Sequence, residues 1–306
     1  MSEPLAYLDG RFLPFAQAAL PVTDGGFLQG VTVAEQLRTF HGQLFRLTQH
    51  LSRLRRSLEI VGVSLPVAWE DLAEIAEELV ARNYPLLANG DDLGLTIFVT
   101  PGTYSTYLAA GEVARPLLCV HTAPVAFRQF AAKYQAGDSL WVTPFQQVPA
   151  ACWPPELKCR SRMHYFLSDH AAQRLEPGSR ALLLDAAGMV MESSTANIVA
   201  YRQDEGLLAP PQEDVLPGIS VAVLQELAAG LQIPFVHRPL RVADLATADE
   251  VLLTSTSPCV WPVLRLNGQP IGNGQPGPVG RQLLAAWGQL VGVDIAAQSA
   301  RFVQRG

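Results

Sequence analysis

The ten residues Glu156–Tyr165, "ELKCRSRMHY", contain Lys158, one of only two lysines in the chain. The other is Lys133, and the remaining twenty of the 22 basic residues are arginines. A lysine amine can form a C=N bond with an aldehyde or ketone, whereas the guanidinium of arginine stays protonated. The segment therefore favours Lys158 as a reactive amine. A surface lysine without a function is the alternative for this residue taken alone, and Lys133 is given no role.

The composition of the 306 residues limits the classes of protein that fit. With 49% hydrophobic and 16% charged residues, the chain is typical of a well-buried globular protein. Its net charge of -6 offers no basic footprint for nucleic acid. No window approaches 18 uninterrupted apolar residues, so no membrane partner is expected. The N-terminal residues also lack the basic start and apolar run of a signal peptide.

The four cysteines are scattered along the chain, at Cys119, Cys152, Cys159 and Cys259. They form no CxxC pair and show no metal-ligand spacing, so we expect no metal site. Reduced thiols of this kind are typical of a cytoplasmic protein.

Turn signals and periodicity predict strands and helices in the first third of the chain. Asp9-Gly10 between two apolar runs predicts a hairpin. A helix is expected to begin with Thr48 as its N-cap, and a second helix follows Pro66. The continuous apolar runs "LGLTIFVTPG" and "PLLCVHTAP" predict buried strands.

The pattern changes after about residue 131. Short strands are predicted in "SLWVTPF", "RALLLDAAG", "MVMESS", "NIVAYR" and "EVLLTS", with helices near residues 161–175, 218–230 and 278–291. This indicates a mixed α/β (α+β) fold rather than one regular βαβ series. We expect a small N-terminal α/β domain over residues 1–121, a linker over 122–131 and a larger domain over 132–306. Neither GxGxxG after a strand nor a P-loop occurs.

Two stretches in the second half could carry chemistry. Glu192 ends a predicted apolar strand, where a carboxylate needs a cationic partner; a strand-end glutamate facing water is equally compatible. Gly218, Ile219 and Ser220 begin a predicted helix whose first backbone N–H groups would form an anion site. An ordinary helix cap is the alternative at that position.

Two further stretches suit anions. The residues from Thr254 to Ser257 are four successive hydroxyl residues after a buried strand, and they suit phosphate or carboxylate binding. A solvated loop is the alternative. Arg53 lies on the polar side of a predicted helix, where its planar guanidinium suits phosphate, although a solvated helix face is the default interpretation.

Taken in order, these pieces resemble the class IV aminotransferases of fold type IV, which use pyridoxal 5'-phosphate (PLP). The group includes branched-chain and D-amino-acid aminotransferases, with aminodeoxychorismate lyase as a lyase relative. The resemblance covers nearly the whole chain. It starts in "VTDGGFLQGVTVAEQLRTFHGQLFRLTQHLSRLRRS" and continues through the lysine segment, "LLLDAAGMVMESSTANI", "LPGIS", "ATADEVLLTSTS" and "PVLRLNGQPIGNGQPGP". It implies a two-domain fold like that of D-amino-acid aminotransferase, working as a homodimer.

The resemblance also implies roles for residues in both predicted domains. Lys158 would bind PLP as a Schiff base and move the proton between Cα and C4', helped by the charges of Arg160 and Arg162. Glu192 would pair with the pyridine nitrogen, and Leu216 would pack against the ring. The implied ligands of the 5'-phosphate are Arg53, Gly218, Ile219, Ser220 and Thr256. The implied substrate contacts are Ala34, Gln36, Ser255, Thr256 and Ser257.

The chain departs from the family patterns at two places that bear on substrate. Branched-chain enzymes carry a tyrosine five residues after the lysine, where this chain has Met163, so Tyr165 is a candidate for contacting the ring hydroxyl. The Arg-x-His of bacterial D-amino-acid aminotransferases would align near Thr106 and Leu108, and it is absent.

The resemblance implies transfer of an amino group from an amino acid, with apolar or branched-chain L-amino acids as the first expectation. The acceptor would be a 2-oxo acid such as 2-oxoglutarate. A PLP-dependent lyase of the aminodeoxychorismate type is the alternative, and a PLP-binding protein without catalysis is the third interpretation.

Overall fold

The computed structural model describes residues 3–305 and divides them into two compact units. The first unit contains the residues up to Val125 and the short segment Leu157–Ser161, and the second contains Ala126–Glu156 and the residues from Arg162 onward. The boundary after Val125 falls inside the predicted linker. The lysine segment, Leu157–Ser161, lies in the first unit rather than in the predicted domain 132–306, because its backbone pairs with a strand of the first unit.

A six-stranded antiparallel sheet forms the centre of the first unit, in the order β2-β1-β6-β5-β3-β4. Its strands are β1 (Leu5–Leu8), β2 (Arg11–Pro14), β3 (Val33–Phe40), β4 (Gln43–Leu44), β5 (Leu93–Thr100) and β6 (Leu117–Pro124). The predicted hairpin is confirmed: Asp9 and Gly10 have φ of 46° and 92°, the left-handed pair that a two-residue turn requires.

Three helices accompany this sheet: α1 (Gly25–Leu28), α2 (Leu47–Val61) and α3 (Trp69–Asn83). The predicted N-cap at Thr48 is wrong, because the helix begins at Leu47 and its N-cap is Arg46 with a left-handed φ of 58°. Leucines of α2 and α3 pack into one core with β3 and β5; this core includes Leu37, Leu54, Leu58, Leu72, Leu79 and Leu95.

The second unit contains nine strands in one sheet. They are β7 (Asp138–Val142), β8 (Arg180–Leu184), β9 (Val190–Ser193), β10 (Ala196–Arg202), β11 (Gly206–Ala209), β12 (Phe235–His237), β13 (Glu250–Ser255), β14 (Cys259–Leu266) and β15 (Gln269–Pro270). The path runs β12-β11-β10-β13-β14-β7-β8-β9, and β9 also pairs with β10. This extra pairing closes six of the strands into a ring.

Six helices belong to the second unit: α4 (Lys133–Ala136), α5 (Met163–Leu175), α6 (Ile219–Gly230), α7 (Val242–Ala246), α8 (Pro278–Val291) and α9 (Ile295–Phe302). The helices predicted near 161–175, 218–230 and 278–291 are confirmed as α5, α6 and α8. Within residues 3–305, no helix combines the length and apolar character that crossing a membrane requires.

Candidate active site

The lysine segment is held by backbone hydrogen bonds to the start of β3. The Ala34 N–H donates to the Lys158 carbonyl at 3.1 Å, and the Arg160 N–H donates to the Thr32 carbonyl at 2.8 Å. The Lys158 N–H donates to the Ser57 hydroxyl of α2 at 3.1 Å. The lysine backbone is thus fixed by a strand on one side and a helix on the other.

The Lys158 amine lies over the same strand. Its Nζ donates to the Ala34 carbonyl oxygen at 3.0 Å. Ala34 is 1% exposed, and Gln36, two residues along β3 and therefore on the same face, is exposed. The structure therefore places one predicted substrate residue, Ala34, in direct contact with the lysine.

A buried carboxylate cluster, consisting of Glu35, His50 and Arg53, lies on the other face of β3. The Glu35 side chain is fully buried, and its two oxygens accept from Arg53 Nε at 2.7 Å and Arg53 Nη2 at 2.9 Å. His50 Nδ1 is 2.8 Å from Glu35 Oε2. The planar guanidinium of Arg53 is thus held by both oxygens of one carboxylate, and such bidentate pairs are the strongest arginine–carboxylate interactions.

The protonation states of the cluster follow from its burial and charges. Burial alone would raise the pKa of Glu35, but the positive charges of Arg53 and Lys158 outweigh it and hold the pKa well below its usual range. Burial lowers the pKa of His50, against the opposing effect of Glu35. Neutral His50 therefore donates from Nδ1 to an ionised Glu35.

A second carboxylate, Glu192 on β9, lies in the second unit. It is 3% exposed, and its Oε1 accepts from Gln147 Nε2 at 2.7 Å and from the Tyr165 hydroxyl. Burial raises the pKa of Glu192, although these two hydrogen bonds and the charge of Arg162 act in the opposite direction. A carboxylate in this state favours a cationic partner, and the protonated nitrogen of a pyridine ring fits that requirement.

Tyr165, the candidate for contacting the ring hydroxyl, lies beside Glu192. The hydroxyl of Tyr165 donates to Glu192, and burial raises the pKa of the Tyr165 phenol. Met163, at the position of the branched-chain tyrosine, is 70% exposed.

The loop before α6 is fixed to β10 through Asn197. The Asn197 Nδ2 donates to the Leu216 carbonyl at 3.0 Å. Gly218 is the N-cap of α6, and a Cβ built on it would collide with Asn197 Oδ1. Only glycine fits there. The first N–H groups of the helix, at Ile219 and Ser220, have no carbonyl acceptor within the helix, so they suit an anion.

The predicted hydroxyl turn follows β13 directly. The Ser255 hydroxyl donates to the Thr195 carbonyl at 3.0 Å. Thr195 has a left-handed φ of 63° in the turn between β9 and β10. This bond ties the turn that contains Thr256 and Ser257 to the turn that follows Glu192.

The predicted site residues therefore fall into two groups. The first unit contains Lys158, Arg160, Arg53, Ala34 and Gln36, and the second contains Arg162, Glu192, Leu216, Gly218, Ile219, Ser220, Ser255, Thr256 and Ser257. The sequence analysis assigned no role to Glu35, His50, Gln147 or Asn197, although Glu35 and His50 stand in the quoted stretch from Val22 to Ser57. A charged residue inside an otherwise apolar stretch, as at Glu35, was the available signal.

Among residues 3–305, no three His, Cys, Asp or Glu side chains form a group that could hold a metal ion.

The chain is similar to known aminotransferases in sequence and in fold. The D-alanine aminotransferase of Staphylococcus aureus strain N315 is 29% identical over 282 residues, covering 90% of this chain and 94% of that protein. The branched-chain amino acid aminotransferase of Escherichia coli has the same fold, with a TM-score of 0.85, 22% identity and 95% of each chain covered.

The branched-chain amino acid aminotransferase from T.th., complexed with N-(5'-phosphopyridoxyl)-L-glutamate, matches with a TM-score of 0.82 and 24% identity, again over 95% of each chain. The pattern of the family "Amino-transferase class IV" matches residues 32–266, most of the chain. This protein therefore belongs to the class IV aminotransferases, as the sequence resemblance predicted.

Proposed function

We propose that Lys158 binds the aldehyde of PLP and that the enzyme passes the amino group of an apolar L-amino acid to a 2-oxo acid such as 2-oxoglutarate. Bound PLP supplies an electron sink for the negative charge that develops at the substrate Cα. The transaminase activity follows from the family. We propose, in addition, which substrate the enzyme takes and what each residue does.

The different partners of the two lysines carry this assignment. Lys133 Nζ lies 2.8 Å from a carboxylate oxygen of Asp138, whose side chain is 4% exposed and also accepts from Trp261 Nε1 at 2.8 Å. Lys133 thus neutralises a buried acid, a structural role that the sequence did not indicate. Lys158 Nζ donates to the carbonyl oxygen of Ala34 at 3.0 Å, on the strand that also carries Glu35, and it does not serve to neutralise Asp138.

The other residues bind and orient the reacting molecules. Glu192 holds a cationic ring nitrogen, because it is buried and its pKa is raised by that burial. Leu216 packs against the ring. The 5'-phosphate is bound by Arg53, the α6 start at Gly218-Ile219-Ser220, and Thr256, since a dianion suits an arginine and the positive end of a helix.

In this proposal the Lys158 Nζ carries the proton released from the substrate Cα. Backbone amides of Ser255, Thr256 and Ser257 bind the substrate carboxylate. Ala34 and Gln36 line the side-chain pocket, and the small Ala34 beside Lys158 supports an apolar substrate.

Borohydride reduction followed by peptide mapping tests the lysine assignment. We expect the cofactor to be fixed to Lys158 in the wild type and in Lys133→Arg, and to be lost from Lys158→Arg. Label on Lys133 would refute the assignment.

A donor screen tests the substrate. With an amino donor, the cofactor absorbance near ~420 nm is expected to convert to a band near ~330 nm. L-leucine, L-valine and L-isoleucine are expected to react faster than D-alanine, with 2-oxoglutarate and pyruvate compared as acceptors. A preference for D-alanine would overturn the substrate proposal. Pyruvate release from a substrate without an acceptor would identify the lyase alternative.

The homodimer is also part of the proposal. Large apolar side chains stand exposed on two segments of the first unit, at Val22, Phe27, Tyr107 and Val113. Hydrogen bonds such as Tyr104 N–H to the Thr23 carbonyl, at 2.9 Å, connect these segments. A cluster of exposed apolar side chains is typical of a protein interface. We expect a dimer in light scattering, weakened by Phe27→Glu; a monomeric wild type would contradict it.

Among residues 3–305, no disulfide joins any of Cys119, Cys152, Cys159 and Cys259, which supports the proposed cytoplasmic location.

A further inference from the structure

Arg162 stands at the junction between the lysine segment and α5. It is the N-cap of α5, and its carbonyl accepts the first helical hydrogen bond, from the Phe166 N–H at 3.0 Å. Tyr165 follows three positions later, so the two side chains project from neighbouring positions on one side of the first turn. Because the Tyr165 hydroxyl donates to Glu192, Arg162 belongs to the same cluster as that carboxylate.

Arg162 is half-buried, and the Nε of its guanidinium has no hydrogen-bond acceptor among residues 3–305. Its Nε is shielded from water and makes no hydrogen bond, and the side chain forms no ion pair there. Two other arginines of low exposure differ in this respect: Arg38 lies 3.8 Å from Asp92, and Arg53 binds Glu35. A buried charged donor without a partner is unfavourable, so such a group usually has a ligand or a functional role.

The neighbouring groups leave Arg162 without an internal partner. Glu192 Oε1 is already occupied by the Tyr165 hydroxyl and Gln147 Nε2. The other end of the Gln147 amide, Oε1, is also buried without a hydrogen bond. Two residues that act on Glu192 thus have an unsatisfied atom: Gln147, which donates to Glu192, has a free acceptor, and Arg162, whose charge lowers the pKa of Glu192, has a free donor at Nε. Such a pair suits a ligand with both an anionic oxygen and a donor group.

We propose that Arg162 binds an anionic oxygen of the reacting molecules, which is either the ring oxygen of the cofactor or the carboxylate of the amino acid substrate. This inference rests on the proposed function. Met163 stands where branched-chain enzymes carry a tyrosine, but its side chain faces solvent. In this proposal Arg162 contacts the reacting molecules instead. The positive charge of Arg162 also opposes the effect of burial on the pKa of Glu192, which agrees with its place in this cluster.

The test compares Arg162→Met and Arg162→Lys with a matched control, Arg174→Met, an exposed arginine on the same helix. Three quantities are measured: the affinity of the apoenzyme for PLP, the pH midpoint of the absorbance of the bound cofactor, and KM for the amino acid against KM for the amine that lacks its carboxylate. Where the methionine variant does not fold, the lysine variant, which keeps the charge but loses the planar fork, is used.

If the ring oxygen is the ligand, Arg162→Met weakens PLP binding about 10- to 100-fold, raises the pH midpoint, and affects amino acid and amine alike. If the substrate carboxylate is the ligand, PLP binding is unchanged, KM for the amino acid rises about 10- to 100-fold, and KM for the amine stays constant. Both results support the inference and identify the source of the oxygen.

All three quantities within about twofold of Arg174→Met would overturn the inference, since the orphaned guanidinium would then be purely structural. Failure of the proposed function looks different: the wild type itself would show no transfer and no label on Lys158.

Discussion

Replacing Glu35 by glutamine removes the charge that Arg53 neutralises while keeping the shape of the side chain. The Glu35 side chain is fully buried and the Arg53 side chain is 10% exposed, so the pair is largely withdrawn from water. Breaking a buried ion pair from one side costs about 3–5 kcal/mol. The amide oxygen of glutamine can still accept one hydrogen bond, so we expect a loss of about 3 kcal/mol. For a unit of this size the melting temperature falls by about 6–12 °C.

The pH dependence of this loss has a definite sign. The pKa of Glu35 is lower in the folded protein than its ordinary value of 4.5, because the charges of Arg53 and Lys158 outweigh its burial. The stabilisation from ionised Glu35 is therefore fully present above pH 4.5 and is lost as the pH falls below it. The difference between wild type and Glu35→Gln is expected to be largest near neutral pH and to shrink in acid.

The assay is calorimetry of both apoproteins between about pH 2 and pH 8, a range that includes the acid conditions in which the stabilisation by Glu35 is lost. Glu59→Gln is the control, because Glu59 belongs to α2 and forms an exposed ion pair with Arg56 at 3.8 Å. Such a pair contributes about 0–1 kcal/mol. The reasoning is refuted if Glu35→Gln and Glu59→Gln melt at the same temperature at pH 7.

Three further substitutions test other parts of the structure. Gly218→Ala forces a Cβ against Asn197 Oδ1, so we expect PLP affinity, measured by titrating the apoenzyme, to fall about 10-fold or more as the helix start shifts. Glu192→Gln is expected to keep cofactor binding and lose most turnover; an unchanged kcat would contradict its role at the ring nitrogen. Lys133→Met leaves Asp138 buried without its cation and is expected to cost about 3 kcal/mol in denaturant titration, whereas Lys133→Arg costs less; equal losses would argue against the ion pair.

The sequence was sufficient for elements with a strong local signal. The Asp9-Gly10 turn and the α3 helix after Pro66 were predicted because turn chemistry and helical periodicity act over a few residues. β3 was not predicted as a strand from its residues. Its buried positions include Glu35 and Arg38, which break the apolar pattern that periodicity requires.

Two further differences between prediction and structure, at β14 and at the start of α2, also come from residues that are unusual for their element. β14 contains Pro262 in the middle of its eight residues, and a proline argues against a central strand when the sequence alone is read. The start of α2 was predicted two residues too late, with Thr48 as the N-cap. The true N-cap, Arg46, has a left-handed φ, which is uncommon for a residue with a side chain and is not indicated by the sequence.

The candidate site could be predicted only in part for the same reason. Lys158 and Glu192 were predicted as site residues because few residue types can perform the chemistry proposed for them. The environment of each depends on contacts between residues far apart in sequence, such as Glu35 with Arg53 or Glu192 with Gln147. No local pattern encodes these pairings, since each depends on the tertiary fold.

The discontinuity of the first unit has a consequence for synthesis on the ribosome. Its last strand partner, the lysine segment, is complete only 36 residues after Val125, at Ser161. At about 5–20 residues per second, these take roughly 2–7 s to translate. During that interval the Thr32 carbonyl and the Ala34 amide of the nascent chain have only water as partners. A gene fragment that ends at Val125 would therefore encode the hairpin and helices of this unit without the segment that pairs with the start of β3.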